Sequence, residues 1–141
     1  MATSAQFTAQ PILEYGQVTT ADSSLTAPTN STTICSGPAT AAGSGVGKRI
    51  NRVSIVPTAT TTATTIRFFV TTDNGTTKRL LVEKIIPAVT VTAGSTAVPR
   101  QEVPELVGLI LPGGTGASTC SLIASTSVTA TTNIIVESGL L

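Results

Sequence analysis

Between Lys48 and Pro87 the chain repeatedly alternates apolar and polar residues, and this period of two constrains the fold more than any other feature. The stretch reads KRINRVSIVP, a Thr-rich connector, TTIRFFVTT, an Asp73-Asn74-Gly75 turn, and TTKRLLVEKIIP. Ile50, Val53, Ile55 and Pro57 are set against Arg49, Arg52 and Ser54. Ile66, Phe68 and Val70 share a face opposite Arg67 and Phe69. Alternation of this kind gives a strand two chemically different faces. Asn-Gly supplies the positive φ of a tight connection, so the second and third runs are expected to pair as an antiparallel hairpin.

The flanking sequence extends the pattern. Ile12–Thr20, Ser31–Ser36, Ala88–Thr92, Leu106–Leu111, Ser118–Val128 and Asn133–Glu137 are further strand candidates, separated by Gly, Pro, Asn and Ser clusters. Within the first of them, Gly16 suggests a bulge or a close backbone approach. No long segment carries apolar residues at helical spacing. Thr makes up roughly a fifth of the chain, and its β-branched, polar side chain suits a wetted strand face. The expectation is an all-β, single-domain antiparallel β-sandwich, jelly-roll-like, with about eight strands and little or no helix. Residues 1–11 are expected to form a flexible N-terminal arm and 12–141 the sandwich domain.

Charged residues are 11% of the chain, against about 25% in an ordinary soluble domain. A surface so poor in charge favours burial against neighbouring subunits. The net charge of +1 gives no electrostatic case for nucleic acid. Lys48, Arg49 and Arg52 cluster, as do Lys78, Arg79 and Lys84, and they read as solvated strand faces or charged interface edges. The N-terminal sequence lacks the basic and apolar regions of a secretory leader, and no apolar run approaches bilayer length, so no membrane partner is expected. Cys35 and Cys120 read as buried free thiols or, alternatively, as a disulfide between an early and a late strand.

No catalytic constellation emerges. Histidine, the commonest general base, is absent. Asp22 and Asp73 lie in turn-like sequence, and Glu14, Glu83, Glu102, Glu105 and Glu137 are scattered. The Gly37–Gly47 loop ends in Gly-Lys, but Ala42 and Arg49 stand where a phosphate-binding loop needs Gly and Ser or Thr, and a strand follows. Asn30-Ser31-Thr32 and Asn74-Gly75-Thr76 match the glycosylation pattern, as chance matches in a Thr-rich chain do. The chain is therefore not expected to be an enzyme, and neither cofactor nor metal is expected.

From about Gly45 onward the order of segments resembles small tailed-bacteriophage head decoration, or cement, proteins. The residues that carry this are Ile66-Arg67-Phe68-Phe69, Leu80-Leu81-Val82-Glu83, Pro87-Ala88, Leu111-Pro112-Gly113-Gly114 and the closing NIIVESGLL. The family's aromatic residue after the LP-x-G turn and its Gly-Asp-aromatic ending are missing. The resemblance implies a structural virion protein on the outer capsid surface, assembled in the host cytoplasm and often trimeric. It would stabilise the shell by bridging major capsid proteins. Phe7, Ile12, Arg49 and Arg52 are the candidate interaction residues. A tail, baseplate or fibre-associated module is the alternative, and a carbohydrate-binding adhesin a further one, disfavoured by the absence of Trp and the single Tyr15.

Overall fold

A computed structural model of the chain describes residues 10–41, 43–94 and 98–141. Nine strands follow in order: β1 Gln10–Val18, β2 Thr32–Ser36, β3 Gly47–Pro57, β4 Thr64–Thr71, β5 Arg79–Ile86, β6 Gln101–Glu102, β7 Ile110–Pro112, β8 Ser121–Thr126 and β9 Thr132–Leu140. The only helical elements among the described residues are two single 3-10 turns, Pro104–Leu106 and Gly116–Ser118.

The strands form two antiparallel sheets packed face to face, a β-sandwich. The first has the order β1-β9-β3-β6, with β7 also on β3, and the second β2-β8-β4-β5. Strand β7 pairs with the start of β3 at Gly47–Arg49 and β6 with its later part at Ser54–Ile55, so the two occupy one lane. Counted by lanes, each sheet has four, and the chain passes between sheets in the winding of a jelly roll. The first and last strands pair along their whole length, from Gln10↔Leu140 to Val18↔Thr132.

Burial follows the sequence pattern closely in β3 and explains its one irregularity. Ile50, Val53, Ile55 and Pro57 are all buried, although the first is even-numbered and the others odd. The register on β9 shifts between Ile50 and Arg52, leaving Asn51 as a bulge that reverses the parity of the strand. In β9, Thr132, Ile134, Val136 and Ser138 face inward in strict alternation. Ile66, Phe68, Leu122, Leu106 and Leu111 complete a core made almost entirely of aliphatic side chains.

The β4–β5 pair forms as its turn predicts, with Asn74 at φ 55° and Gly75 at φ 85°. The connection is longer than a two-residue hairpin. Asp73 organises it by accepting hydrogen bonds from Thr71 Oγ1 (2.7 Å) and Thr77 N (2.8 Å). These contacts, with Thr77 the largest contributor and Thr71 after it, hold the Asp73 carboxyl down at about 2.

Phe69 faces away from the main core, as alternation requires, yet it is fully buried. It lies opposite Ile123 on the outer face of the second sheet, where Ile123 is also buried. Two connections fold over this face. Asp22 N donates to Thr126 O, and Arg67 Nη1 donates to Asp22 O. Lys78 Nζ donates to Pro28 O (2.6 Å), tying the second connection to the first. The Asp22 carboxylate gathers its own loop by accepting from the N–H groups of Ser24, Thr29 and Asn30. These bonds, Asn30's foremost, lower its pKa.

Two strand expectations need correction. Ala88–Thr92 makes only a single bridge, Val89↔Thr61. Leu106–Leu111 begins as the 3-10 turn that Pro104 initiates, passes through Gly108 at φ 89°, and is strand only from Ile110. Leu106 is nonetheless a core residue. The arm expected over residues 1–11 lies, up to Ala9, outside the described residues, while Gln10 and Pro11 already belong to β1.

Candidate interaction surface

Strand β1 is an edge strand whose two faces do different work. Ile12, Glu14, Gly16 and Val18 point into the sandwich, and Leu13 and Tyr15 point out. Leu13 is 65% exposed and Tyr15 77%, the two most exposed large apolar side chains on the first sheet. Tyr15 stands opposite Ile135 of β9, which in turn stands opposite Ser54 of β3. Leu13 stands opposite Glu137, and Glu137 opposite Arg52. The outer face thus runs from an apolar edge into a polar centre.

That centre is an ion-pair network. Arg52 bonds the Glu102 carboxylate through Nε and Nη2 (3.0 and 2.7 Å) and lies 3.5 Å from Glu137. Arg100 completes it, with Nε 3.2 Å from Glu102 and Nη2 donating to Ser54 Oγ at 2.6 Å. The hydrogen bond from Arg52 is the main reason the Glu102 carboxyl titrates below its usual range, and the same contact raises the Arg52 guanidinium. Two arginines and two glutamates balance, so the face carries hydrogen-bonding capacity without net charge.

Behind β1 the inward-facing groups form a second cluster. Lys48 Nζ donates to both oxygens of Glu14 (3.0 and 2.9 Å), and Cys35 Sγ donates to Glu14 Oε2 (2.9 Å). The Lys48 side chain is 7% exposed and that of Glu14 27%. Burial, and next the hydrogen bond to Glu14, push the Cys35 thiol up to about 12. Cys35 and Cys120 are both buried and both free thiols. Near this point the two sheets close on each other. A Cβ on Gly16 would stand 2.5 Å from Ile34 Cδ1 and 3.4 Å from Thr33 O, which is the close approach its sequence position suggests.

The candidate residues are distributed unevenly over this surface. Arg52 sits in the network at its centre. Arg49 is exposed beside Gly139 and Ile110 and makes no ion pair among the described residues. Ile12 is half-buried with its side chain turned inward. Phe7 lies outside the described residues. Leu13 and Tyr15 were missed, although their odd positions beside the inward Ile12 and Glu14 are the signal that would have found them. A second exposed apolar set, Leu80, Leu81 and Ile85, lies on β5, the edge of the other sheet.

Two shallow clefts flank the sandwich. One, of about 230 Å³, is lined by Thr19, Thr20, Thr29, Asn30, Ser31 and Thr32. The other, of about 430 Å³, lies between the glycine loop and Ile110, Pro112 and Leu141. Lys48, the lysine after that loop, is turned inward to Glu14 and away from any ligand in the cleft. Among the described residues no cluster of Cys, Asp and Glu is placed to hold a metal ion, and no helix is long and apolar enough to cross a membrane. Comparison with protein-family models, curated proteins and solved structures finds no match.

Proposed function

We propose that this chain is a structural virion protein that decorates the outer surface of a tailed-phage head and stabilises the shell by bridging major capsid proteins. The observation that carries the reading is the outer face of β1, where Leu13 and Tyr15 stand exposed on a sheet edge beside a charge-balanced network. Exposed apolar positions on an edge that no described strand covers are what an adhesive module needs and what an isolated soluble domain avoids. The jelly-roll winding supports the same reading, since this architecture recurs in viral capsid and lectin domains, although a fold hosts many functions.

The mechanism is adhesion. Apolar burial contributes about 25 cal/mol per Å², and the small contribution of each copy is multiplied when the copies sit on one lattice. Neutral, hydrogen-bonding residues around the apolar edge would form the rim of such a contact. Copies repeated over the shell would set the outer faces of their β1 strands, with the Leu13 and Tyr15 side chains, on adjoining capsid subunits. Assembly would follow synthesis in the host cytoplasm.

Co-sedimentation with expanded heads lacking this protein tests the proposal. Saturable binding of the wild type, much reduced in Tyr15→Lys with its circular dichroism unchanged, is the expected result. Binding to tails in place of heads would favour the tail or baseplate alternative. Failure to bind either would overturn the structural reading.

A further inference from the structure

Among the described residues no strand pairs with the outer edge of β1, and that edge has a hydrogen-bonding pattern of its own. Gln17 O accepts a bond from Thr32 Oγ1 of β2 (2.9 Å), so this carbonyl is directed away from β9. Antiparallel pairing alternates the direction of backbone groups from one residue to the next, so the odd residues of β1 present N–H and C=O to the free edge. Pro11 obeys the same parity. Its nitrogen, which has no hydrogen to donate, falls on the unpaired side, where a strand tolerates proline. Between Pro11 and the capped Gln17, Leu13 and Tyr15 are left with both backbone groups directed outward. They are also the residues whose side chains are most exposed on the outer face.

Charge narrows what can cover this edge. Glu14 is the one charged residue of β1, and it is turned inward and neutralised by Lys48. An isologous contact brings the residue at the two-fold axis against its own equivalent, so an unneutralised charge there would meet its like. Strand β1 presents none on its edge, whereas the edge strand β5 carries Arg79, Glu83 and Lys84.

We propose that the occupant of the β1 edge is a second copy of this chain, paired antiparallel about a two-fold axis at Glu14. This register sets Leu13 opposite Tyr15 of the second copy, and Tyr15 opposite its Leu13, each pair closing through both N–H and C=O groups. A register centred on Leu13 sets Tyr15 against Pro11, which lacks a donor, and one centred on Tyr15 sets Leu13 against the capped Gln17. The Glu14 register alone satisfies every free group. It also makes aromatic–aliphatic cross-strand pairs, which stabilise sheets, and joins the two first sheets into one. The inference holds whether or not the shell is the partner.

Edge pairing of this length covers less than a standard interface, so association is expected to depend on concentration. Light scattering after size exclusion, over roughly 1 to 100 μM, should show the mass rising from monomer to dimer. Leu13→Lys and Tyr15→Lys should remain monomeric throughout, with unchanged circular dichroism. Amide exchange read by NMR supplies the register. The Leu13 and Tyr15 amides should slow at high concentration by at least tenfold in the wild type and not in the variants. A wild type that stays monomeric at 100 μM, or forms a trimer, or a dimer that survives both lysine substitutions, would overturn the proposal.

Discussion

Replacing Glu14 by Leu removes the carboxylate on which Lys48 and Cys35 converge, and the effect can be sized from the structure. The Lys48 ammonium is left with a side chain 7% exposed and no counter-charge. Removing one member of such a pair costs roughly 3–5 kcal/mol, because the remaining charge stays buried without compensation. Lys48→Met leaves Glu14, which is 27% exposed and keeps the Cys35 thiol as a donor, so about 2 kcal/mol is expected. The double variant, Glu14→Leu with Lys48→Met, buries no charge and should fall within about 1 kcal/mol of the wild type. Urea unfolding followed by circular dichroism reads all four proteins. With a slope near 1.5–2 kcal/mol per molar, Glu14→Leu should lower the midpoint by roughly 2 M, and the double variant should recover most of it. The two substitutions are then strongly non-additive, with a coupling of at least about 4 kcal/mol. Additive losses would refute the reasoning, since they would mean that the two groups do not compensate each other's charge in the folded protein.

Phe69→Ala should destabilise as much as a main-core truncation, by about 3–4 kcal/mol, because the loops over the second sheet bury it fully; a loss below about 1 kcal/mol in urea would show that the cover is not closed. Both thiols should resist alkylation at pH 8 until the protein is unfolded, since Cys35 is held up at about 12 and Cys120 is also raised by burial. Rapid labelling of the native protein, followed by mass spectrometry, would contradict this. The Asp73 carboxyl should titrate at about 2 by NMR. Its folded value is depressed, so its stabilising contribution is complete above the ordinary aspartate range near 3.9 and is lost as pH falls through about 2. A midpoint at the ordinary value would remove the hydrogen bonds from Thr71 and Thr77 as a cause.

Much of the architecture was legible in the sequence because a half-buried strand writes its two faces into alternate positions. In β3 the pattern identifies Ile50, Val53, Ile55 and Pro57 as buried, though not Lys48 or Ser54, and Asn74-Gly75 marks the β4–β5 connection. What was not legible depended on contacts distant in sequence. The Asn51 bulge arises from the register against β9, and Phe69 is buried on an outer face over which the Asp22–Asn30 loop and the β4–β5 connection fold. Alternation alone reads Phe69 as exposed. The Leu106–Leu111 run misled for the opposite reason. Leu106, Leu109 and Leu111 do reach the core, but Pro104 and Gly108 bend the backbone out of strand geometry. The candidate surface was half legible. Arg49 and Arg52 stand out as charges in a charge-poor chain, whereas Leu13 and Tyr15 acquire meaning only once β1 is known to be an edge. The Glu14–Lys48–Cys35 cluster draws on three strands and has no local signature at all.

Cryo-electron microscopy of tailed-phage heads incubated with this protein tests the proposed shell binding most directly. The account predicts regular copies of the sandwich on the outside of the icosahedral shell, with the Leu13–Tyr15 edge buried in a contact. Heads that gain no such density, or copies whose β1 edge faces open solvent throughout, would contradict it.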